Sequence, residues 1–381
     1  MIVPLIFMVI SCVIIWRSSD GFEVASDYLG RKLPLGIKGA TINAIASSMP
    51  EFLTTIFFLF YLRDPEGFSG GLGVTSGSAL FNLLIIPSLA VIMLFSIGKG
   101  KGVRLNKKVL LREGLVLLLS QVIFISFLFQ GELLGRHGLV LVLIYILYLG
   151  LLFAITRKRR NADPGYTLRP PKKDTPVWIR LLTLDVTHLV LFRKKINRAD
   201  AWILLIICTL IMTFGTWLLV YATDRFGEAT GIPLIFVAVV LSAAATSVPD
   251  TIISVKDARK GNYDDAVSNA LGSNIFDIAF ALGFPILLFN LFYRNSMTLH
   301  WYVLKFTQEV WAFLLLATVI ALAILLIGKY LTRFKAFLLL GIYLFFLLFV
   351  WTQVSDLQEG IGKSIGDFFS EIALWIGRIL H

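Results

Sequence analysis

The sequence predicts an all-α polytopic membrane protein with ten transmembrane helices in two inverted five-helix repeats, and three observations carry that prediction. The 381 residues are 57% hydrophobic and 15% charged, with mean hydropathy +0.83, well outside the composition of a soluble domain of this length. Ten apolar runs are centred near residues 10, 50, 85, 120, 147, 211, 244, 280, 317 and 343, each near the roughly 20 residues that cross about 30 Å of hydrocarbon. Two stretches about two hundred residues apart are variants of one pattern: ASSMPEFLTT followed by GSALFN (Ala46 to Asn82), and ATSVPDTIIS followed by GSNIFD (Ala245 to Asp277).

The elements follow in order. Residues 1–156 hold the first five spans. The run from Met1 to Trp16 lacks a basic n-region and a small-residue cleavage site, so it reads as span one rather than a removed signal. Residues 157–199 are a basic linker containing RKRR, Pro170, Pro171, Lys172 and Lys173. Within it Val177, Trp178, Leu181, Leu182, Val186 and Leu189 follow helical spacing, which predicts a short amphipathic surface helix. Residues 200–355 hold the second five spans, and 356–381 form an amphipathic tail in which Leu357, Ile361, Ile365, Phe368, Phe369, Ile372, Trp375, Ile376 and Ile379 alternate with charges.

A formal charge of +11 raises the question of nucleic acid, but the basic residues follow topology instead. Loops after odd-numbered spans carry Arg31 and Lys32, then Lys99, Lys101, Arg104, Lys107 and Lys108, the linker run, then Lys256, Arg259 and Lys260, and finally Lys329, Arg333 and Lys335. The positive-inside rule makes these loops cytoplasmic and both termini extracytoplasmic. The predicted setting is a multi-pass cell-membrane protein whose partner is the bilayer, with no nucleic acid and no assigned oligomeric state. Cys12 and Cys208 fall inside apolar spans, where buried thiols are ordinary.

The repeated motifs occupy spans two and three, then spans seven and eight. A displacement of five crossings is odd, so the copies run in opposite directions, the inverted arrangement of many secondary transporters. Each copy places a hydroxyl pair, a proline and an acid in hydrocarbon: Ser47, Ser48, Pro50 and Glu51, against Thr246, Ser247, Pro249 and Asp250. Such residues are costly there and are functional candidates by default. Proline lacks an amide proton and frees a carbonyl four residues back, at Ala46 and Ala245. Ser47 with Glu51, Thr246 with Asp250, Ser78 with Asn82 and Ser273 with Asp277 are spaced i to i+4, which predicts a hydroxyl beside an acid or amide on one helix face. Small residues nearby (Gly39, Ala44, Gly77, Ala243, Gly272) permit close helix approach, and Ala44 and Ala243 are counted with the candidate cation site.

The donor set is entirely oxygen, which suits hard cations. Calcium takes six to eight such ligands, whereas transition metals prefer nitrogen or sulfur. His137, His188, His300 and His381 lie near span ends, in loops or at the tail, which argues against an imidazole relay. Glu51, Asp250 and Asp277 bring three negative charges, with no basic residue in the spans near the motifs. One Ca²⁺ leaves one charge over, to be met by K⁺ or a proton; several Na⁺ are the other way to balance the set.

On these motifs the chain resembles the calcium/cation antiporter superfamily, whose repeats read G-T-S-x-P-E/D and G-S-x-x-F-N/D, and it is most similar to the potassium-dependent sodium/calcium exchangers. Ala46 and Ala245 stand where the pattern has Gly, and Ser47 where it has Thr. The resemblance implies Ca²⁺ held centrally by Glu51 and Asp250, with Asn82 and Asp277 nearby. It further implies that Ser47, Ser48, Ser78, Thr246, Ser247 and Ser273 assist Na⁺, and that Asp277 is linked to K⁺. The expected function is Ca²⁺/Na⁺ antiport by alternating access, with spans one and six sliding against the rest, no cofactor and no covalent step; the rival is H⁺/Ca²⁺ antiport on the same fold. An intramembrane aspartyl protease would also place two acids at the midplane, but its Gly-x-Gly-Asp signature is missing. A channel fits poorly, because three fixed carboxylates hold an ion too firmly for fast flux.

Overall fold

The computed structural model describes residues 1–31, 39–62, 65–96, 103–156, 176–191, 196–261, 263–294, 296–354 and 361–380. Most of the predicted linker, including RKRR and Lys172, lies outside them, as do Lys32, Lys99 and Lys101 of the basic loops.

Ten helices among the described residues are long and apolar enough to cross a membrane: span 1 (Ile2–Leu29), span 2 (Thr41–Phe60), span 3 (Phe68–Ser96), span 4 (Lys107–Leu128), span 5 (Gly135–Ala154), span 6 (Arg198–Thr230), span 7 (Leu234–Arg259), span 8 (Val267–Tyr293), span 9 (Trp301–Leu326) and span 10 (Arg333–Val354). All ten apolar runs become helices because hydrocarbon leaves each backbone polar group no partner outside its own segment. Local chemistry sets several ends. The Asn197 side chain accepts from Asp200 N, and the Asp200 side chain accepts from Asn197 N, closing a capping box at the start of span 6. Gly261, with φ of 86°, stops the helix of span 7.

Spans 1 and 6 lie lengthwise against each other. Spans 2, 3, 7 and 8 form the centre, and spans 4, 5, 9 and 10 flank them in the largest hydrophobic core, around Phe124, Trp311, Phe346 and Phe349. Short antiparallel ribbons tie the loops. β1 (Val103–Arg104), between spans 3 and 4, pairs with β4 (Tyr330–Leu331), between spans 9 and 10. β2 (Glu132–Leu133), between spans 4 and 5, pairs with β3 (Met297–Thr298), between spans 8 and 9. Advancing each loop of one ribbon by five spans gives the other ribbon, at the opposite end of the bundle. The ribbons therefore carry the same inversion as the sequence motifs.

Irregular turns repeat as well. Each Pro-acid segment is preceded by a π-helical turn, Gly39–Asn43 and Ala238–Ser242, and each Gly-Ser motif runs into one, Phe81–Ile85 and Asp277–Leu282. In the first copy Pro50 lies inside a continuous helix, Ala44–Phe60. In the second the helix divides into Ala243–Thr246 and Val248–Lys260 at Ser247. Thr246 and Asp250 thus sit on two helices, a correction to the single helical face expected for them; proline follows the break closely because it suits a first helical turn.

The expected linker helix is two helices, Val177–Leu182 and Val186–Val190, divided where Leu184 adopts φ of 49° and Asp185 caps the second. The tail helix, Ile361–Leu380, is docked to the bundle. Phe369 and Ala373 are buried against it, Ser370 Oγ donates to Glu309 Oε1 at 2.9 Å, and Lys305 pairs with Asp367 at 3.5 Å.

Candidate cation site between the repeats

Spans 2 and 8 run the same way through the bundle, as do spans 3 and 7. They meet at the motifs, where Ser47 Oγ lies 3.3 Å from Ser273 Oγ, and Ser247 Oγ donates to Ser78 Oγ at 2.9 Å. Close approach needs Gly77: a methyl there would run into the backbone of Val239 and the side chain of Ala243. Ser47, Ser48, Glu51, Ser78, Asn82, Thr246, Ser247, Asp250, Ser273 and Asp277 are brought together with 0% exposure each.

The two halves use equivalent bonds. Ser78 Oγ donates to Glu51 Oε1 at 3.0 Å, and Ser273 Oγ to Asp250 Oδ1 at 2.8 Å. The hydroxyls of the Pro-acid segments behave otherwise than expected. Ser47 Oγ bonds back to the carbonyls of Asn43 (2.9 Å) and Ala44 (3.3 Å), and Thr246 Oγ1 to that of Ala243 (3.1 Å). Back-bonding of this kind is the ordinary recourse of a helical Ser or Thr, and it engages the Ala44 and Ala243 carbonyls, each of which keeps a second lone pair. Across the repeats, Ser47 faces Asp250 and Thr246 faces Glu51. Each hydroxyl is thereby also set beside the acid of the opposite repeat. Ala245 packs its side chain towards the cluster of Met8, Ile15 and Leu219.

Asn82 and Asp277 occupy equivalent places, and there the symmetry fails. Asn82 Nδ2 donates to Asp250 Oδ2 at 3.1 Å. An ionised Asp277 has nothing to donate to Glu51, and the two carboxylates face the same hydroxyl, Ser78 Oγ, at 3.0 Å from Glu51 Oε1 and 3.4 Å from Asp277 Oδ2. One hydroxyl has one hydrogen, so it serves one of them at a time. Glu51 Oε2, Asp277 Oδ1 and Asn82 Oδ1 have no hydrogen-bond donor, and Ser48 Oγ lies beside Asp277 without a well-formed hydrogen bond. Among the described residues no three acids converge into a ready-made cage. A cation here would take carboxylate, hydroxyl and amide oxygens together.

Among the described residues no cationic side chain pairs with these acids. Lys256, towards the end of span 7, pairs instead with Asp20 (2.8 Å) and Glu23 (3.4 Å) of span 1. Two site residues escaped the motif reading. Asn269 Nδ2 lies 3.5 Å from Asp250 Oδ1 and 3.3 Å from Ser254 Oγ, and Asn274 Nδ2 donates to Ala79 O at 2.9 Å, tying the two repeats together. The available signal for Asn269 was its position one helical turn before Ser273.

Comparison with known proteins bears on this arrangement. The mouse sodium/potassium/calcium exchanger 2 is 38% identical over 144 residues, which cover 38% of this chain and 21% of that protein. The human sodium/potassium/calcium exchanger 5 is 34% identical over 139 residues, covering 35% and 28%. The chain thus spans between about a fifth and somewhat over a quarter of the length of these relatives. The crystal structure of the H⁺/Ca²⁺ exchanger CAX superposes with a TM-score of 0.69 at 16% identity, covering 98% of this chain and 86% of that one. The sodium-calcium exchanger NCX_Mj, soaked with 2.5 mM Na⁺ and 10 mM Sr²⁺, gives 0.57 at 21% identity, covering 91% and 98%. At these identities the two structures establish the fold. Residues 3–154 and 200–352 match the family described as sodium/calcium exchanger protein; both five-span repeats are included, and the chain belongs to that family.

Proposed function

We propose that the chain is a secondary active antiporter that exchanges Ca²⁺ for Na⁺ by alternating access, with K⁺ as a candidate third ion. The carrying observation is the set of buried carboxylate and amide oxygens on Glu51, Asp277 and Asn82 that lack a hydrogen-bond donor where the inverted repeats meet, with no basic residue among the described ones to balance the charge. Hard oxygen ligands favour calcium, and the charge requires that something positive replace it when it leaves. In this reading Glu51 and Asp250 hold calcium centrally. Ser47, Ser48, Ser78, Thr246, Ser247 and Ser273, with the Ala44 and Ala243 carbonyls, add neutral oxygens for Na⁺, and Asp277 takes the remaining charge. The names of the sodium/potassium/calcium exchanger relatives motivate the K⁺ assignment. Proton exchange is the second reading, favoured by the single hydroxyl shared between Glu51 and Asp277, since a proton on either acid would relieve their repulsion.

The test is ⁴⁵Ca²⁺ uptake into proteoliposomes of the purified protein at clamped pH and voltage. Uptake driven by an outward Na⁺ gradient supports the proposal, and its response to K⁺ decides the third ion. Uptake driven only by a proton gradient selects the second reading, and no uptake under either gradient sinks both.

A further inference from the structure

Below the Ser47 and Ser273 contact lies a second polar tier. Spans 2 and 8 run in the same direction there, and one helical turn earlier on each helix, about 6 Å along the axis at 1.5 Å per residue, stand Asn43 and Asn269. Both are buried, at 8% and 0% exposure, and the side-chain carbonyl oxygen of each lacks a hydrogen-bond donor. The hydroxyl of Ser268, the neighbouring residue, is likewise buried at 1% exposure and unpartnered. The amide nitrogen of Asn269 is turned to Asp250 and Ser254, which leaves its oxygen as the free end. The turn that carries Asn43 packs on the helix that carries Ser268 and Asn269, so these three unpartnered oxygens lie on neighbouring elements, and none is charged. Leaving a buried acceptor unpaired is costly, and a cation would satisfy these oxygens.

The inverted counterpart of this tier is absent. The repeat places Ser242 opposite Asn43, and Ser242 Oγ is closed off by Thr223 Oγ1 at 2.6 Å. It places Val74 opposite Asn269, buried at 0% exposure. Among the described residues, the layer formed by Asn43, Ser268 and Asn269 lies towards the end of the bundle that carries Lys256 and Arg259, cytoplasmic by its basic loops.

We infer that Asn43, Asn269 and Ser268 form a neutral binding site for a dehydrated alkali cation, Na⁺ foremost, one turn to the cytoplasmic side of Asp250. Neutral amide and hydroxyl oxygens suit a monovalent ion, because a divalent ion needs carboxylates to offset its dehydration. The site gives Na⁺ a holding position on the cytoplasmic path that Ca²⁺ lacks, so cytoplasmic Na⁺ is bound more tightly than extracytoplasmic Na⁺. This inference rests on the proposed Na⁺ coupling.

The experiment compares the full-length chain with Asn269→Val, which copies the counterpart residue, with Asn43→Ala, and with Asn43→Asp, which adds charge. Na⁺ half-saturation of ⁴⁵Ca²⁺ exchange is measured from each side of oriented proteoliposomes. Melting of the purified protein is followed in Na⁺, K⁺ and Ca²⁺. The first two variants raise cytoplasmic half-saturation about five- to tenfold, the loss of one ligand oxygen, and leave the other side unchanged, while Asn43→Asp lowers it. Shifts that are equal on both sides, or absent, overturn the inference. Melting separates the two failures. If the parent chain exchanges no calcium for Na⁺, the coupling proposal falls, and the tier still stands or falls on whether Na⁺ protects the parent more than Asn269→Val.

Discussion

Glu51, Asp250 and Asp277 are all carboxylates at 0% exposure, yet their surroundings give them different parts. Asp250 receives Ser273 Oγ and Asn82 Nδ2, whereas Glu51 and Asp277 share the hydrogen of Ser78. Replacing Glu51 by Gln or Asp250 by Asn is expected to cut calcium flux about a hundredfold or more, from the loss of a charged ligand in a dry site. Inserted, folded protein should persist by size-exclusion profile, and normal ⁴⁵Ca²⁺ flux in either variant would refute the assignment. Asp277→Asn makes the second half resemble the first, where Asn82 already supplies an amide. It is expected to keep more transport than the other two variants and to lose any response to K⁺; an unchanged K⁺ titration would show the role misplaced. These residues were legible in sequence because acids and proline are conspicuous in hydrocarbon. Asn43 and Asn269 were not, since an amide in a helix is unremarkable until its oxygen is found without a donor.

At the level of elements, hydropathy located every span because crossing hydrocarbon leaves a long apolar run that no other structure requires. The π-helical turns were not legible. One extra residue per turn leaves composition unchanged, and only the displaced backbone reveals it. The break at Ser247 was likewise hidden, because the proline two residues on fits both a kinked and a restarted helix, and the two copies differ in that choice. The contact of span 3 with the π turn of span 7 depends on Gly77. Gly77→Ala is expected to force these helices apart at a cost of about 1–3 kcal/mol, the usual price of overpacking, and so to lower the melting temperature in detergent. An unshifted melting curve would mean that the backbones can separate without loss.

For the molecule as a whole, inversion fixes which loops share an end. Arg104 pairs with Tyr330 in one ribbon, and Glu132 with Thr298 in the other, and these four side chains are exposed apart from their strand partners. Cysteines at Arg104 and Tyr330 should cross-link with each other, as should cysteines at Glu132 and Thr298, with no mixed pairs. A membrane-impermeant maleimide added outside intact cells should label only the Glu132 and Thr298 positions. Labelling of Arg104→Cys from outside would reverse the orientation read from the basic loops, and labelling of both ribbons from one side would contradict the inversion. Two identical inverted halves would confer no preferred resting orientation, because exchanging them turns the outward form into the inward one at equal energy. Here Asn82 is matched by Asp277, and Val74 by Asn269. These mismatches, with the helix break at Ser247 in one copy only and the tail helix docked on span 9, lift that degeneracy, so in the alternating-access reading the resting poise of the empty protein, and with it any rectification of flux, is set by these departures from symmetry.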